Sequence, residues 1–425
     1  MQISTRTKNK WPWQEHEQMF LLRMFLFIIW PFGVWVSALF NCNKKSAFII
    51  FFLFDLLLLW HMSPTGYNSG YHDFLSIMDR FQTNNISFDD LIYNLKEYFC
   101  FSNEAPKEIY EDILTWITKT FVADNYHFYF MFAAIPVAYC QLNILHRVIA
   151  DNRSKMCFAL LVVLILLIIP RDIIGTQNPR FTTGFWVCVM SSISYFSDNQ
   201  KLRYIFLVLL SPIFHSGMWP FVILFFVGII IQKVERPLEI AAYISIPFMF
   251  IDANLFRNIN FDFLPIGVAE WASRYMSDEY YARLVVGDEK SGFWWVEPMF
   301  KIPQKIIYIY MTFKLIKEKN EVRKNIESAQ MYSFYLLIFT VVNMIQFVPE
   351  LGNRYWGFMR IFCVFIWYKA FYPRYNKVLF VLLGFTCWYI INRYGYVFDG
   401  ALSVNTPIDI FFMPLPYLVG KGLWW

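Results

Sequence analysis

The amino-acid sequence predicts an all-α, polytopic integral membrane protein with about 12 transmembrane helices and two larger outward-facing loops. Hydrophobic residues make up 57% of the chain and charged residues only 16%, whereas a soluble domain is about 25% charged. The mean hydropathy is +0.40. The apolar residues come in long blocks rather than in the patterns of half-buried strands or helices. Basic residues collect in alternate connections between the blocks, as expected for cytoplasmic loops.

Each apolar block is a candidate helix, because about 20 residues in α-helical conformation cross the hydrocarbon core and somewhat shorter helices are tolerated. The chain is predicted to comprise an N-terminal tail, residues 1–18, and a single polytopic membrane domain, residues 19–425. The predicted spans are 19–40, 47–61, 126–142, 156–170, 181–196, 202–214, 218–232, 238–256, 296–313, 329–348, 356–371 and 377–391.

The distribution of lysine and arginine predicts the orientation of these helices. The densest basic cluster lies in 314–328, which is therefore predicted to be cytoplasmic. The short loops on the same side of the membrane are then 41–46, 143–155, 197–201, 233–237 and 372–376. Only Arg171, Arg180 and Arg354 remain in the short outer loops. The basic residues of the N-terminal tail fall on the outer side and oppose this assignment.

Two long outer segments, 62–125 and 257–295, are rich in aromatic and acidic residues. Ser87–Tyr98 is predicted to form an amphipathic helix with Ser87 as its N-cap, because apolar residues recur at helical spacing behind a Ser-Phe-Asp-Asp start. Aromatic rings and carboxylates together suit the binding of sugars. The alternative is a belt of tryptophan and tyrosine at the membrane interface.

The common motifs of soluble enzymes are missing from the sequence. It contains no GxGxxG, GxxxxGK[ST], HExxH or CxxC motif, and its six histidines are scattered. We therefore expect no cofactor, no metal ion and no nucleic-acid partner.

Arginines mark the predicted outer ends of several helices. Arg171 follows Pro170, Arg180 follows Pro179, and Arg354 and Arg360 flank the start of the eleventh span. The planar guanidinium binds phosphate oxygens in a bidentate manner, so converging arginines could hold a lipid diphosphate. The alternatives are snorkelling to lipid headgroups and local ion pairs such as Arg171–Asp172.

His215 lies between Pro212 and Pro220, where regular helix is expected to break. An imidazole here could act as a general base. The alternative is a neutral histidine hydrogen-bonded to a backbone carbonyl. A second ionisable group, Asp55, lies within an apolar span, either as a functional group or paired with Asn343 or Gln346.

The order of several short motifs resembles the EpsG family of membrane polysaccharide polymerases, related in role to the Wzy-type O-antigen polymerases. The similarity spans roughly residues 20 to 400. It rests on a basic turn between the first two helices, an outer loop that begins with small residues, acid and tyrosine, an Arg-Phe that begins a helix, a Ser-Pro stretch ending in His-Ser, and a late Gly-x-Arg-aromatic start. In this chain these are Asn43–Lys45, Tyr67–Phe74, Arg180–Phe181, Ser211–Ser216 and Gly352–Tyr355. Asn68 stands where the family often has an acid ahead of Tyr71.

The resemblance implies a metal-independent glycosyltransferase on the outer face of the bacterial cytoplasmic membrane. Its substrate would be an oligosaccharide repeat unit linked to undecaprenyl diphosphate. Membrane lipid would be a further partner of the protein. A protein that regulates chain length is implied as a partner. Arg180 and Arg354, supported by Arg171, Arg360 and Tyr71, are predicted to bind substrate. His215 is the first candidate for the catalytic base, and Asp73 is the second.

Other functions are compatible with the same helices. A flippase or transporter of the lipid-linked sugar would also have about twelve helices, but transporters often show two similar halves and midplane polar residues, which the sequence does not. A glycan ligase would differ only in its acceptor. A non-catalytic scaffold leaves the arginine placement unexplained.

Overall fold

The computed structural model describes residues 17–42, 44–61, 72–100, 109–122, 124–151, 157–171, 178–197, 201–251, 297–346, 348–400 and 408–423. These residues form an all-α structure without strands. In chain order the α-helices are α1 Glu17–Ile29, α2 Pro31–Phe40, α3 Lys45–Trp60, α4 His72–Thr83, α5 Phe88–Phe99, α6 Ile109–Phe121, α7 Tyr126–Asp151, α8 Phe158–Ile168, α9 Pro179–Ser197, α10 Leu202–Phe214, α11 Trp219–Ile230, α12 Glu235–Ser245, α13 Ile302–Lys317, α14 Lys319–Val322, α15 Ile326–Met344, α16 Pro349–Phe371, α17 Asn376–Gly400, α18 Ile408–Phe412 and α19 Leu415–Leu423. Short 3₁₀ turns, Ile169–Arg171, Ser216–Met218 and Ile246–Phe250, follow α8, α10 and α12, and a π-helical turn, Glu297–Lys301, precedes α13.

Most predicted spans coincide with a helix, but the first does not remain continuous. The block 19–40 divides at Trp30 into α1 and α2. Pro31 explains the break, because a proline inside a helix removes a hydrogen bond and its ring disfavours helical backbone at the residue before it. The predicted block 238–256 is also not one continuous α-helix, since α12 ends at Ser245 and a 3₁₀ turn follows.

The described residues of the segment 62–125 form three helices where the sequence indicated one. The predicted amphipathic helix is α5, and its N-terminus is a capping box in which Ser87 Oγ accepts from Asp90 N and the Asp90 carboxylate accepts from Ser87 N. The helices α4 and α6 flank it. The second predicted outer segment, 257–295, lies outside the described residues.

Among the described residues one helix is both long and apolar enough to cross a membrane, by length and composition alone. It comprises Tyr126–Ile149, has a mean hydropathy of 1.5, and is 56% buried over its most apolar window. Shorter apolar helices lie at Pro31–Phe40, Phe158–Arg171, Leu202–Phe214, Ser216–Ile230 and Asn376–Cys387.

Helix α9 is the centre of the main core, since every residue from Pro179 to Ser197 is buried. Its Phe185 packs against Phe358 of α16 with ring centroids 4.2 Å apart. Gly357 permits this approach, because a Cβ there would lie 3.2 Å from the Phe185 ring. The N-terminal halves of α9 and α16 are therefore held side by side.

A second apolar cluster joins the two ends of the described chain. Phe27 of α1, Val34 of α2 and Phe54 of α3 pack with Ile410 of α18 and Leu418 of α19. The N-terminal and C-terminal helices therefore share one core.

The end of the bundle where α16 finishes is rich in ion pairs. Lys369 Nζ lies 2.7 Å from Glu327 Oε2, and this pair is buried. Lys319 pairs with Glu239 at 3.1 Å. This is the end that the sequence predicts to be cytoplasmic.

Candidate functional site

The opposite end of the bundle brings together the residues that the sequence singled out. Because consecutive helices run in opposite directions, the end of α8, the start of α9 and the end of α10 meet at one end. The start of α16 joins them, since Tyr355 donates a hydrogen bond to the backbone carbonyl of Gly217 at 2.7 Å. Arg171, Arg180, His215 and Arg354 lie at these four helix termini.

The aromatic ring of Phe181 is the common contact of Arg171, His215 and Arg354. The guanidinium carbon of Arg171 lies 4.6 Å from the ring centre and that of Arg354 lies 5.2 Å from it. The imidazole of His215 meets the same ring at right angles, with centroids 5.4 Å apart. A guanidinium over an aromatic ring is attracted to its electron-rich face, which holds two like charges close together here. We call Arg171, Arg180, Phe181, His215 and Arg354 the arginine cluster.

The Arg171 side chain is held over the ring by a fixed backbone. The backbone carbonyl of Arg171 accepts hydrogen bonds from Gln141 Nε2 at 3.1 Å and from Trp186 Nε1 at 2.7 Å. These bonds satisfy a carbonyl at the end of the 3₁₀ turn, where the helical ladder stops.

The hydrogen bonding of His215 differs from both readings of the sequence. Its Nδ1 accepts a hydrogen bond from the backbone N–H of Gly217 at 2.9 Å. An acceptor nitrogen has no proton, so the neutral ring has its proton on Nε2. His215 is thus placed as a hydrogen-bond donor through Nε2, and this geometry does not support the predicted role of His215 as the catalytic base.

The surroundings of His215 keep it neutral. Burial lowers the pKa of His215 from 6.5 to about 3, and the positive charges of Arg354, Arg180 and Arg171 act in the same direction. The ring is therefore uncharged across physiological pH. Nearby positive charge that repels a proton also attracts an anion.

Arg180 has a counter-ion that the sequence analysis did not nominate. Its Nε lies 2.8 Å from Glu111 Oε1, and both side chains are about nine-tenths buried. The second oxygen of Glu111 lies 3.0 Å from Nη1 of Arg80 in α4. One carboxylate from α6 therefore joins α4 to the start of α9.

Arg360 is not part of the arginine cluster, contrary to its predicted supporting role. It follows Arg354 by six positions, which turns it to a different face of α16. Its Nε donates to Tyr308 Oη of α13 at 3.3 Å, and its Nη2 is buried without a hydrogen-bond partner among the described residues.

The side chains of two predicted site residues are not described. Asp73 is the second residue of α4, and nothing of its side chain is described; Tyr71 lies outside the described residues. The alternative pair of Arg171 with Asp172 also lies outside them.

The suggested partners of Asp55 were wrong. Asn343 Nδ2 donates to Ser245 Oγ at 3.0 Å, and Gln346 Nε2 donates to the carbonyl of Gly352 at 3.2 Å. Both lie on or directly after α15, whereas α3, which contains Asp55, packs mainly on α7 and on the terminal helices.

Three contributors to the site were missed in the sequence. Glu111 is one of many acids in the segment 62–125, but it shares a helix face with Leu114 and Thr118, which are buried. An acid on the apolar face of an amphipathic helix is a signal of a buried partner. In the sequence Phe181 and Tyr355 stand out only as members of short motifs. Their contacts join distant parts of the chain, and such contacts leave no local signal.

Within the described part of the chain, no group of three or more His, Cys, Asp and Glu side chains is arranged to hold a metal ion. The positive charge at the cluster comes from arginine.

No protein-family model matches this chain, and no curated protein and no solved structure is significantly similar to it.

Proposed function

We propose that this protein is a polymerase of lipid-linked oligosaccharide repeat units, multi-pass in the bacterial cytoplasmic membrane, with its site on the outer face. The observation on which this rests is the arrangement of Arg171 and Arg354 on one Phe181 ring, with His215 and Arg180 beside them. The resemblance to the EpsG family in the sequence is a second, weaker support. The product would be a surface polysaccharide such as capsule, O-antigen or exopolysaccharide.

The proposed ligand of the arginine cluster is the diphosphate of an undecaprenyl-diphosphate-linked glycan. Guanidinium groups present paired N–H donors to phosphate oxygens, and their charge does not titrate. The Nε2–H of neutral His215 adds a further donor. Fixed donors aimed at a group that gains negative charge stabilise the transition state in which that group departs.

In the proposed reaction the bond between the anomeric carbon of the growing glycan and the diphosphate oxygen breaks. Its electron pair remains on the diphosphate, which the arginines stabilise. The acceptor hydroxyl oxygen of the next lipid-linked unit forms the new bond to the anomeric carbon, and the hydroxyl proton passes to a base. Because His215 is placed as a donor, we assign the base to the other sequence candidate, Asp73.

The placement in a membrane is part of the proposal. Many large apolar side chains are exposed, among them Phe25, Phe158, Phe206 and Ile223. Such a surface is costly in water and favourable in lipid. The lysine-rich connection between α13 and α15 lies at the end of the bundle opposite the arginine cluster, which supports an outward-facing site.

Deletion of the gene in its host, complemented with variants, tests the function. Loss of the long glycans with retention of single repeat units on a gel, restored by wild type but not by Arg180→Ala, is the expected result. Arg374→Ala is the matched control, because this exposed arginine follows the far end of α16.

Two results would contradict the proposal. Long glycans of normal length and yield in the Arg180→Ala strain would remove its central claim. Loss of all surface glycan with repeat units accumulating on the inner face would indicate the alternative, a flippase.

A further inference from the structure

We propose that Glu111 is a positioning residue for Arg180, through which the outer helices α4 and α6 set the geometry of the diphosphate site. This inference rests on the proposed function. The structure provides a chain of contacts from α4 through Glu111 to the first turn of α9.

The carboxylate of Glu111 lies between two guanidiniums. Oε1 is 2.8 Å from Arg180 Nε and accepts a hydrogen bond from Arg80 Nη2 at 3.3 Å. Oε2 is 3.0 Å from Arg80 Nη1. Glu111 is therefore fixed by Arg80 on one side while it contacts Arg180 on the other.

The ion pair with Glu111 anchors the Arg180 guanidinium. A carboxylate 2.8 Å from Nε attracts the charged group, and because the guanidinium is rigid and planar its two terminal nitrogens are held with it. An arginine side chain is otherwise long and has several rotamers. Arg180 directly precedes Phe181, on which Arg171 and Arg354 stack, so its direction matters for a ligand held between the arginines.

The helices that present Glu111 are attached to the site by other contacts. Tyr98 of α5 donates to the carbonyl of Pro212 at 2.6 Å, and Tyr110 of α6 packs on Phe214 with centroids 4.9 Å apart. Both contacts are with the last turn of α10, directly before His215. Helices α5 and α6 therefore have contacts with this end of the bundle that do not involve the charge of Glu111.

Glu111 also limits the repulsion within the arginine cluster. Three guanidiniums lie close enough to His215 to oppose its protonation. A buried charge needs a partner, and Glu111 supplies one to Arg180. Glu111→Gln keeps the size of the side chain and removes the charge.

A double-mutant cycle in the full-length protein reconstituted in lipid nanodiscs tests the inference. Binding of undecaprenyl diphosphate is measured for wild type, Glu111→Gln, Arg180→Ala and the double variant. We expect Glu111→Gln to weaken binding about tenfold in the wild-type background and to have no further effect when Arg180 is already alanine. Glu111→Asp is expected to restore part of the loss.

Asp112→Asn is the matched control. Asp112 is the next residue on α6, and its carboxylate accepts from Asn94 at 3.0 Å within the outer helices. Binding unchanged from wild type is expected for this variant, which shows that removal of any acid from α6 is not sufficient.

Two outcomes would overturn the inference. One is wild-type binding by Glu111→Gln. The other is an equal loss of affinity from Glu111→Gln in the wild-type and in the Arg180→Ala background, because Glu111 would then act independently of Arg180. Failure of the proposed function looks different: wild-type protein would bind no undecaprenyl diphosphate, and deletion of its gene would leave the glycan ladder intact.

Discussion

Tyr355 donates a hydrogen bond to the backbone carbonyl of Gly217 at 2.7 Å and thereby joins the second turn of α16 to the turn that follows α10. Arg354 precedes the tyrosine, and His215 lies two residues before the glycine. One hydroxyl group thus relates two parts of the site that are separated by 138 positions in the chain.

Tyr355→Phe is expected to lower activity by displacing the His215 turn from Arg354. A partly buried carbonyl left without its donor costs up to about 1–3 kcal/mol. Stability of the purified protein and glycan chain length in complemented cells would measure the two effects.

Tyr368→Phe is the control for this prediction. Tyr368 is on the same helix and donates to the carbonyl of Val148 at 2.9 Å near the other end of the bundle. A similar loss of stability with normal glycan length is expected. If both variants shortened the glycan equally, the specific connection to the site would be excluded.

Phe181→Leu is expected to disperse the two guanidiniums that stack on the ring. Each cation–π contact contributes roughly 0.5–2 kcal/mol, so loss of both should weaken binding of a lipid diphosphate by about tenfold or more. Titration of undecaprenyl diphosphate measures it.

Phe196→Leu offers the comparison, since Phe196 is equally buried in the last turn of the same helix. It should lose stability without losing affinity. Unaltered affinity in Phe181→Leu would show that the ring does not organise the arginines.

His215 predicts a specific dependence of stability on pH. Its pKa is lowered to about 3 in the folded protein, chiefly by burial, while the unfolded chain has the ordinary value of 6.5. Between these two values the unfolded state binds a proton that the folded state does not. Acid therefore destabilises the protein from about pH 6.5 downward, by at most about 1.4 kcal/mol for each pH unit.

His215→Asn removes this titration. Thermal unfolding of wild type and His215→Asn between pH 7.5 and pH 5 should show a steeper loss of stability for wild type. Parallel curves would mean that His215 is accessible to protons in the folded protein. Activity between pH 6 and pH 8 should show no inflection from this residue.

Gly352→Ala is expected to shift the start of α16. A Cβ at this position would lie 2.9 Å from Gln346 Cα and 3.2 Å from the Ile345 carbonyl oxygen, so backbone has to move. Overpacking of this kind costs about 1–3 kcal/mol, and here it also displaces Arg354. Lower stability together with shorter glycans is the expected result.

Gly384→Ala is the matched substitution, because nothing lies within 4 Å of a Cβ at that position in α17. Alanine there should raise stability by up to about 1 kcal/mol through helix propensity. Equal behaviour of the two variants would contradict the steric argument.

Local signals gave the helices correctly where the cause is local. The N-terminus of α5 follows from Ser87 and Asp90, three positions apart, and α10 lies at 202–214 as its apolar block predicts. The break at Pro31 also had a local signal, since a proline rarely continues a helix, but the apolar composition of the whole block concealed it.

Long-range pairings were less predictable. Topology alone indicated that Arg171, Arg180 and His215 share one end of the bundle, because each lies where one helix ends or the next begins. Topology did not show that Arg354 and Arg360 belong to different sites. The two side chains lie on different faces of α16, so Arg354 contacts Phe181 and Arg360 contacts Tyr308. Nor could topology pair Asn343 with Ser245 instead of Asp55.

By itself the sequence determined the helical class, most helix positions and the end of the bundle at which arginines collect, because hydropathy, capping and proline act over a few residues. The tertiary structure alone decided that Phe181 lies beneath two guanidiniums, that His215 accepts from Gly217, and that Glu111 pairs with Arg180. These contacts depend on how helices pack and rotate against one another. Packing is a property of the whole chain, so no local pattern encodes it.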